Sequence, residues 1–198
     1  MFGNLVPVPH GIAAIFLSLT FLSSPEISLA QQVAIGGYAL PLGLLLPQGI
    51  AVGPDNALWF TSWADGTIGR ITTAGAITQY PLPTALCYPL GITAGPDGAL
   101  WFAETGGPVA GSKIGRITTA GAVTEYPLPY GSDAYDIATG PDGALWFTEY
   151  VNNKIGRIAT TGALTEYPLP PGTQFPSSYP AGIVSGPDGA LWFGQESG

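Results

Sequence analysis

One eight-residue word constrains this chain more than anything else in it: Gly140-Pro141-Asp142-Gly143-Ala144-Leu145-Trp146-Phe147. It recurs as Gly53-Pro54-Asp55-Asn56-Ala57-Leu58-Trp59-Phe60, from Gly95 to Phe102, and from Gly186 to Phe193. The starts at 53, 95, 140 and 186 lie 42, 45 and 46 residues apart, a period that belongs to repeat architectures and above all to β-propeller blades. A word this regular specifies architecture clearly and chemistry weakly.

Each repeat reads as four short strands, because its segments of β-branched and aromatic residues are bounded by Gly, Pro, Asp or Asn. The first is Asp136-Ile137-Ala138-Thr139, matched by Gly49 to Val52, Gly91 to Ala94 and Gly182 to Ser185; small residues beside one Ile suit an inner strand where blades converge. The Gly-Pro-Asp-Gly turn follows, with Pro presetting φ, Asp bonding its own backbone and Gly taking the left-handed exit; Asn56 tolerates the same conformation. In the second strand, Ala144 to Glu149, alternation sends Leu145 and Phe147 to one face and Trp146 to the other. A strand apolar on both faces is one packed between sheets. After a variable turn comes the third strand, Lys154-Ile155-Gly156-Arg157-Ile158, and its counterparts; the middle variable turn, Gly106 to Ser112, is the longest. The fourth strand runs Ala163 to Pro168, matching Ala76 to Pro81 and Ala122 to Pro127. A closing proline, which has no N–H to donate, marks the outer edge.

The expected fold is therefore all-β: a β-propeller of four-stranded antiparallel blades, with three complete blades at about 49–83, 91–129 and 136–170 and a partial one at 182–198. Tyr38-Ala39-Leu40-Pro41 reads as a lone outer strand. The inventory is that of a truncated piece of a longer propeller or of an open ring. An uncompleted blade leaves a sticky strand, so self-association through an open blade edge is expected.

Ahead of the repeats, Gly11 to Leu22 is an uncharged apolar run of signal-peptide length, followed by Ser28-Leu29-Ala30 as a cleavage site. The expected organisation is a signal peptide at 1–30 and a partial propeller at 31–198, secreted or periplasmic and off the membrane once cleaved. The competing reading is an extra buried element or an uncleaved anchor, since residues 1–10 contain no Lys or Arg. The five basic residues, Arg70, Lys113, Arg116, Lys154 and Arg157, all fall in the Ile-Gly-Arg word, and the net charge is -8. Without a basic stripe, nucleic acid is excluded as a partner; a small-molecule or peptide ligand remains. Cys87 is the one cysteine, which rules out an internal disulfide and a thiolate cage. It reads as an apolar filler rather than a reactive thiol.

The words Gly-Pro-Asp-Gly-Ala-Leu-Trp-Phe-Thr-Glu (140–149), Asn-Lys-Ile-Gly-Arg-Ile (153–158) and Leu-Thr-Glu-Tyr-Pro-Leu-Pro (164–170) closely resemble the repeat of the virginiamycin B lyase family. The resemblance extends from about residue 38 to the end. It implies a seven-bladed propeller, about 300 residues at blade length, whose characterised members open the ester-closed ring of streptogramin B antibiotics by magnesium-dependent elimination. It implies Mg²⁺ as cofactor and, as base, a histidine close to metal-holding glutamates. Residues 31–198 contain no histidine; His10 lies in the leader. In register with the end of the family's Leu-Trp-Phe-Thr-Glu stand Ser62, Glu104, Glu149 and Gln195.

No catalytic residue is assigned. Glu104 and Glu149, with Asp133 and Asp136, are candidate oxygen ligands for Mg²⁺ or Ca²⁺ on one propeller face; the competing reading is that they are solvated and paired with Lys or Arg. Tyr150 or one of the glutamates is the remaining choice of base. The repeated Trp59, Trp101, Trp146 and Trp192 read as inter-blade core rather than a sugar platform. Trp63, outside the repeated word, and Tyr150 join Glu104 and Glu149 as ligand-surface candidates, packing being the other reading for the aromatics. Two functions follow. One is an exported, non-catalytic binding or scaffold propeller. The other is a streptogramin B lyase, a carbon–oxygen lyase that confers antibiotic resistance, with its catalytic blades beyond residue 198.

Overall fold

The computed structural model describes Gly37, Leu40 and residues 46–106, 111–170 and 178–197. The chain divides into two compact units, residues 1–42 and 43–198. The expected leader lies outside the described residues, as do most of the strand expected at 38–41 and residues 107–110 of the longest turn.

The second unit is all-β. β1 (Pro47–Val52), β2 (Leu58–Ser62), β3 (Thr67–Ile71) and β4 (Ile77–Pro81) form one antiparallel sheet in chain order. The pattern repeats in β5 (Pro89–Ala94), β6 (Ala99–Glu104), β7 (Lys113–Thr118) and β8 (Val123–Pro127), and again in β9 (Ala134–Thr139), β10 (Leu145–Glu149), β11 (Lys154–Ile158) and β12 (Leu164–Pro168). A fourth sheet pairs β13 (Ser178–Ser185) with β14 (Leu191–Ser197). These are three full blades and the inner half of a fourth, as the repeats predict. Proline-closed β4, β8 and β12 are edge strands. The inner strands start earlier than expected, at Pro47 and Ser178 rather than Gly49 and Gly182, because pairing resumes beyond a bulge opposite the strand-2 ends.

Register explains the repeated words. Phe60, Phe102 and Phe147 lie opposite Gly69, Gly115 and Gly156. Each Phe ring covers the glycine, so a methyl group there would overlap it. Trp59, Trp101 and Trp146 lie opposite Arg70, Arg116 and Arg157, whose guanidinium groups sit 5.8–5.9 Å from the indole centroids. The turn aspartates bind this pair. Asp55 Oδ1 accepts from Trp59 Nε1 at 2.9 Å, and Oδ2 accepts from Arg70 Nε at 2.6 Å; Asp97 and Asp142 do the same. Their role thus exceeds the local turn bond expected of them. The turn exits are left-handed as expected, with φ of 57° at Asn56 and 72–75° at Gly98, Gly143 and Gly189.

Blades stack by one rule. The Trp face of each meets the Ile/Leu/Phe face of the next: Trp59 and Ile68 pack on Ile92, Leu100 and Phe102, and Trp101 and Ile114 pack on Ile137, Leu145 and Phe147. Trp59 and Trp101 are fully buried, so these tryptophans are inter-blade core. Hydroxyl straps cross the boundary between the first and second blades and that between the third and fourth. Thr61 Oγ1 donates to Leu90 O at 2.6 Å, and Thr148 Oγ1 to Ala181 O at 2.7 Å.

Candidate functional site

The ends of β2, β6, β10 and β14 share one face of the blades with the starts of the inner strands, because Trp63, Thr105 and Tyr150 N–H groups donate to Leu46, Tyr88 and Asp133 carbonyls. This is where the repeats cease to agree. The structure brings Trp63 and Tyr150 to this face, but buries Glu104 and Glu149 beneath it.

Glu104 and Glu149 are both 0% exposed, so neither is a solvated or ligand-facing carboxylate, as either sequence reading requires. Glu104 lies opposite Lys113, yet the Lys113 ammonium is committed elsewhere: it donates to Glu125 Oε2 at 2.8 Å and to Thr84 Oγ1. Glu125 is satisfied further by the Thr84 hydroxyl and N–H. Glu104 is left with no hydrogen-bond partner on either oxygen. Burial, reinforced by the Glu125 charge, pushes its carboxyl up to about 8, against the pull of the Lys113 charge. The third blade repeats the arrangement. Lys154 Nζ donates to Glu166 Oε2 at 2.6 Å, and burial raises the Glu149 carboxyl, whose Oε1 has no partner. The first blade has the neutral version, Ser62, Thr67 and Gln79, with Ser62 Oγ donating to Asp65 at 2.8 Å. Gln195 is exposed.

These carboxyls do not fit a divalent cation. Each is closed off, has its pKa raised by burial, and has a lysine beside it; among the described residues no group of three or more His, Cys, Asp or Glu could hold a metal. Asp136 is engaged by the Ile183 N–H at 2.9 Å, and burial raises both it and Asp133. Cys87 is buried, its thiol pushed up to about 12 by burial and then by Glu104, which matches the filler reading.

The aromatic candidates lie at blade junctions. Trp63, half-buried, stacks on Tyr88 of the next blade with centroids 4.7 Å apart. Tyr88 is held at a φ of 44° and Leu86 at 58°, left-handed positions costing of order 1 kcal/mol or more each. Tyr150 stacks between Tyr135 at 5.1 Å and Tyr179 at 4.8 Å, and its hydroxyl donates to Glu196 Oε2 at 2.9 Å. That bond to a carboxylate raises the Tyr150 pKa, so the phenol keeps its proton at neutral pH. Between the two stacks, at the second and third blades, the matching positions are Thr105 and Asp133. The face thus presents two aromatic stacks separated by a polar step. Tyr88, Tyr135 and Tyr179 were missed from sequence; the available signal was their place at the start of inner strands, where Tyr88 and Tyr179 precede a proline.

Successive four-stranded antiparallel sheets stacked face to face define a β-propeller fold. The family model for the virginiamycin B lyase family matches residues 17–198, and the chain belongs to that family. Among solved structures it resembles a streptogramin B lyase at 44% identity and a TM-score of 0.74, covering 82% of this chain and 52% of the other. Virginiamycin B lyase from Staphylococcus aureus is 45% identical, with a TM-score of 0.73 and coverages of 84% and 54%. A catalytically inactive histidine-to-alanine variant of that enzyme with quinupristin is 42% identical, with a TM-score of 0.72 and coverages of 86% and 55%. The chain spans about half the length of these solved lyases. A search of the curated proteins finds no match.

Proposed function

We propose that this chain is an exported binding propeller of the virginiamycin B lyase family, which holds an aromatic-bearing small-molecule or peptide ligand on the face lined by Trp63, Tyr88, Tyr135, Tyr150 and Tyr179 and does not itself open it. The observation that carries this reading is the pair of aromatic stacks at the blade junctions. Ring faces and edges there offer apolar contact, while Thr105 and Asp133 offer hydrogen bonds that fix orientation.

Eliminative ring opening needs a base within reach of the proton next to a carbonyl. Residues 31–198 hold no histidine. Glu104 and Glu149 are sealed from any ligand, and Tyr150 is held in its protonated form by Glu196. One solved relative that lacks a histidine is described as catalytically inactive and is seen with quinupristin, which supports separating binding from chemistry. Quinupristin is accordingly the probe for this chain. Titration followed by tryptophan fluorescence is expected to show saturable binding that weakens in Trp63→Ala and Tyr150→Ala; unchanged affinity in both variants would remove the aromatic face from the reading.

A second reading rests on the 44% identity to a streptogramin B lyase of which the chain covers about half: a lyase whose base and Mg²⁺ site lie in blades encoded downstream. Sequencing the downstream coding region decides it. Further blades with a histidine two residues after the strand-2 glutamate support it, and an immediate stop codon removes it.

A further inference from the structure

We infer that the ligand of the aromatic face carries an organic ammonium group, seated on the carboxylate of Asp133 beside the rings of Tyr135 and Tyr150. The inference rests on the binding reading above and adds a charge to it. Asp133 immediately precedes β9 in the third blade, which has a described blade on either side. It occupies the place that Tyr88 holds in the second blade: the Tyr150 N–H donates to the Asp133 carbonyl at 2.9 Å, as the Thr105 N–H does to that of Tyr88 at 3.3 Å. At this blade an aromatic position of the face has become a carboxylate.

That carboxylate lacks what the others near it have. Glu196 accepts from the Tyr150 hydroxyl, Asp136 accepts from the Ile183 N–H, and Glu104 and Glu149 are sealed. Asp133 is half-buried, and among the described residues no hydrogen bond or neighbouring charge offsets that burial, which by itself raises its pKa. All five Lys and Arg of the sequence are engaged elsewhere: Arg70 with Asp55, Arg116 with Asp97, Arg157 with Asp142, Lys113 with Glu125 and Lys154 with Glu166. A partly desolvated carboxylate without a partner is costly, and a cation brought by the ligand relieves that cost.

The surroundings select the kind of cation. Asp133 and Tyr135 are both solvent-accessible while Ala134 between them is buried, the alternation that puts two side chains on one side of an extended segment. Tyr135 in turn stacks on Tyr150 at 5.1 Å. Tyrosine ring faces attract ammonium groups, whereas a hard divalent ion such as Ca²⁺ needs about six oxygens or more. One carboxylate among rings suits the organic ion, with its charge on Asp133 and its carbon skeleton against the tyrosines. A net charge of -8 further favours the approach of a cation.

Two probes of nearly equal size, 2-phenylethylammonium and 2-phenylethanol, differ in an ammonium against a hydroxyl and test this. Ligand-observed NMR titration of the purified chain should give the ammonium an affinity about tenfold higher, the difference between a charged and a neutral hydrogen bond. Asp133→Asn, which keeps the size and breaks no bond of the fold, should bring the ammonium down to the affinity of the alcohol and leave the alcohol unchanged. Equal binding of the two probes by the wild-type chain, or binding of neither, overturns the inference, as does an ammonium preference that survives in Asp133→Asn. The quinupristin titration with Trp63→Ala and Tyr150→Ala fails separately. If quinupristin responds to those variants while the two probes bind alike, the aromatic face stands and the inferred charge is lost; if quinupristin ignores them while the ammonium preference follows Asp133, the charge site stands and the aromatic reading falls.

Discussion

Replacing Glu104 with glutamine should make the protein more stable at neutral and alkaline pH, an unusual result for deleting a buried charge-capable group. The folded carboxyl titrates near 8 rather than at an ordinary 4.5, burial being the main cause. Between those two values the folded protein holds a proton that the unfolded chain releases, so stability falls as pH rises. The slope is about 1.4 kcal/mol per pH unit. The penalty amounts to about 3 kcal/mol by pH 7 and about 5 kcal/mol above pH 8. Glutamine keeps the size and a polar head but has no proton to lose. Urea unfolding of wild type and Glu104→Gln at pH 5, 6, 7 and 8 gives the difference directly, with Glu149 and every other group common to both. The two proteins should be of similar stability at pH 5 and diverge steadily in favour of the variant. Parallel curves across that range would mean that Glu104 is solvated or ionised at no cost, and the sealed pocket between Cys87, Lys113 and Gly115 would be wrong.

Other perturbations test the blade architecture. Thr61→Val removes a hydroxyl that donates to Leu90 O and accepts from Gly49 N–H at 2.8 Å, and should cost about 1–3 kcal/mol in urea melts by leaving both groups unpaired. Gly69→Ala places a methyl group against the Phe60 ring and should cost a similar 1–3 kcal/mol, or about that, through overpacking. Asp97 is partly buried, which raises its pKa, but the Trp101 indole and Arg116 guanidinium outweigh this and hold it low. Its contribution is therefore present above the ordinary carboxylate pKa and lost as pH falls through the lowered folded value. Asp97→Asn should lower the melting temperature at pH 6 and narrow that difference toward pH 2; a constant difference would refute the ionic part of the clamp.

Architecture was legible because it is written as a period. A turn word with its left-handed exit, a two-faced apolar strand and a proline-closed edge each recur at one offset, and each answers a local steric or packing demand that sequence states openly. The partners of those words were less legible. Asp97 reads as a turn residue, and nothing in its position announces Arg116 as a partner, because that pairing depends on the register of two strands. The site was harder still. Glu104 and Glu149 stand where the repeats diverge, which singles them out, but whether a strand-end carboxylate faces solvent or lies buried depends on how the neighbouring strands pack around it, which its own position does not state. The stack of Tyr150 on Tyr135 joins two strands of one blade and that on Tyr179 joins two blades, and no spacing along the chain encodes either.

The proposed function has this chain binding with its aromatic face and leaving what it binds unopened. Incubating the purified chain with quinupristin in magnesium-containing buffer tests it most directly, with bound fraction and ring state measured on the same sample. Elimination adds no water and leaves the mass unchanged, so opened and closed rings are separated by chromatographic retention rather than by mass. The account predicts saturable binding with the ring intact after prolonged incubation. Efficient ring opening by this chain alone would contradict it.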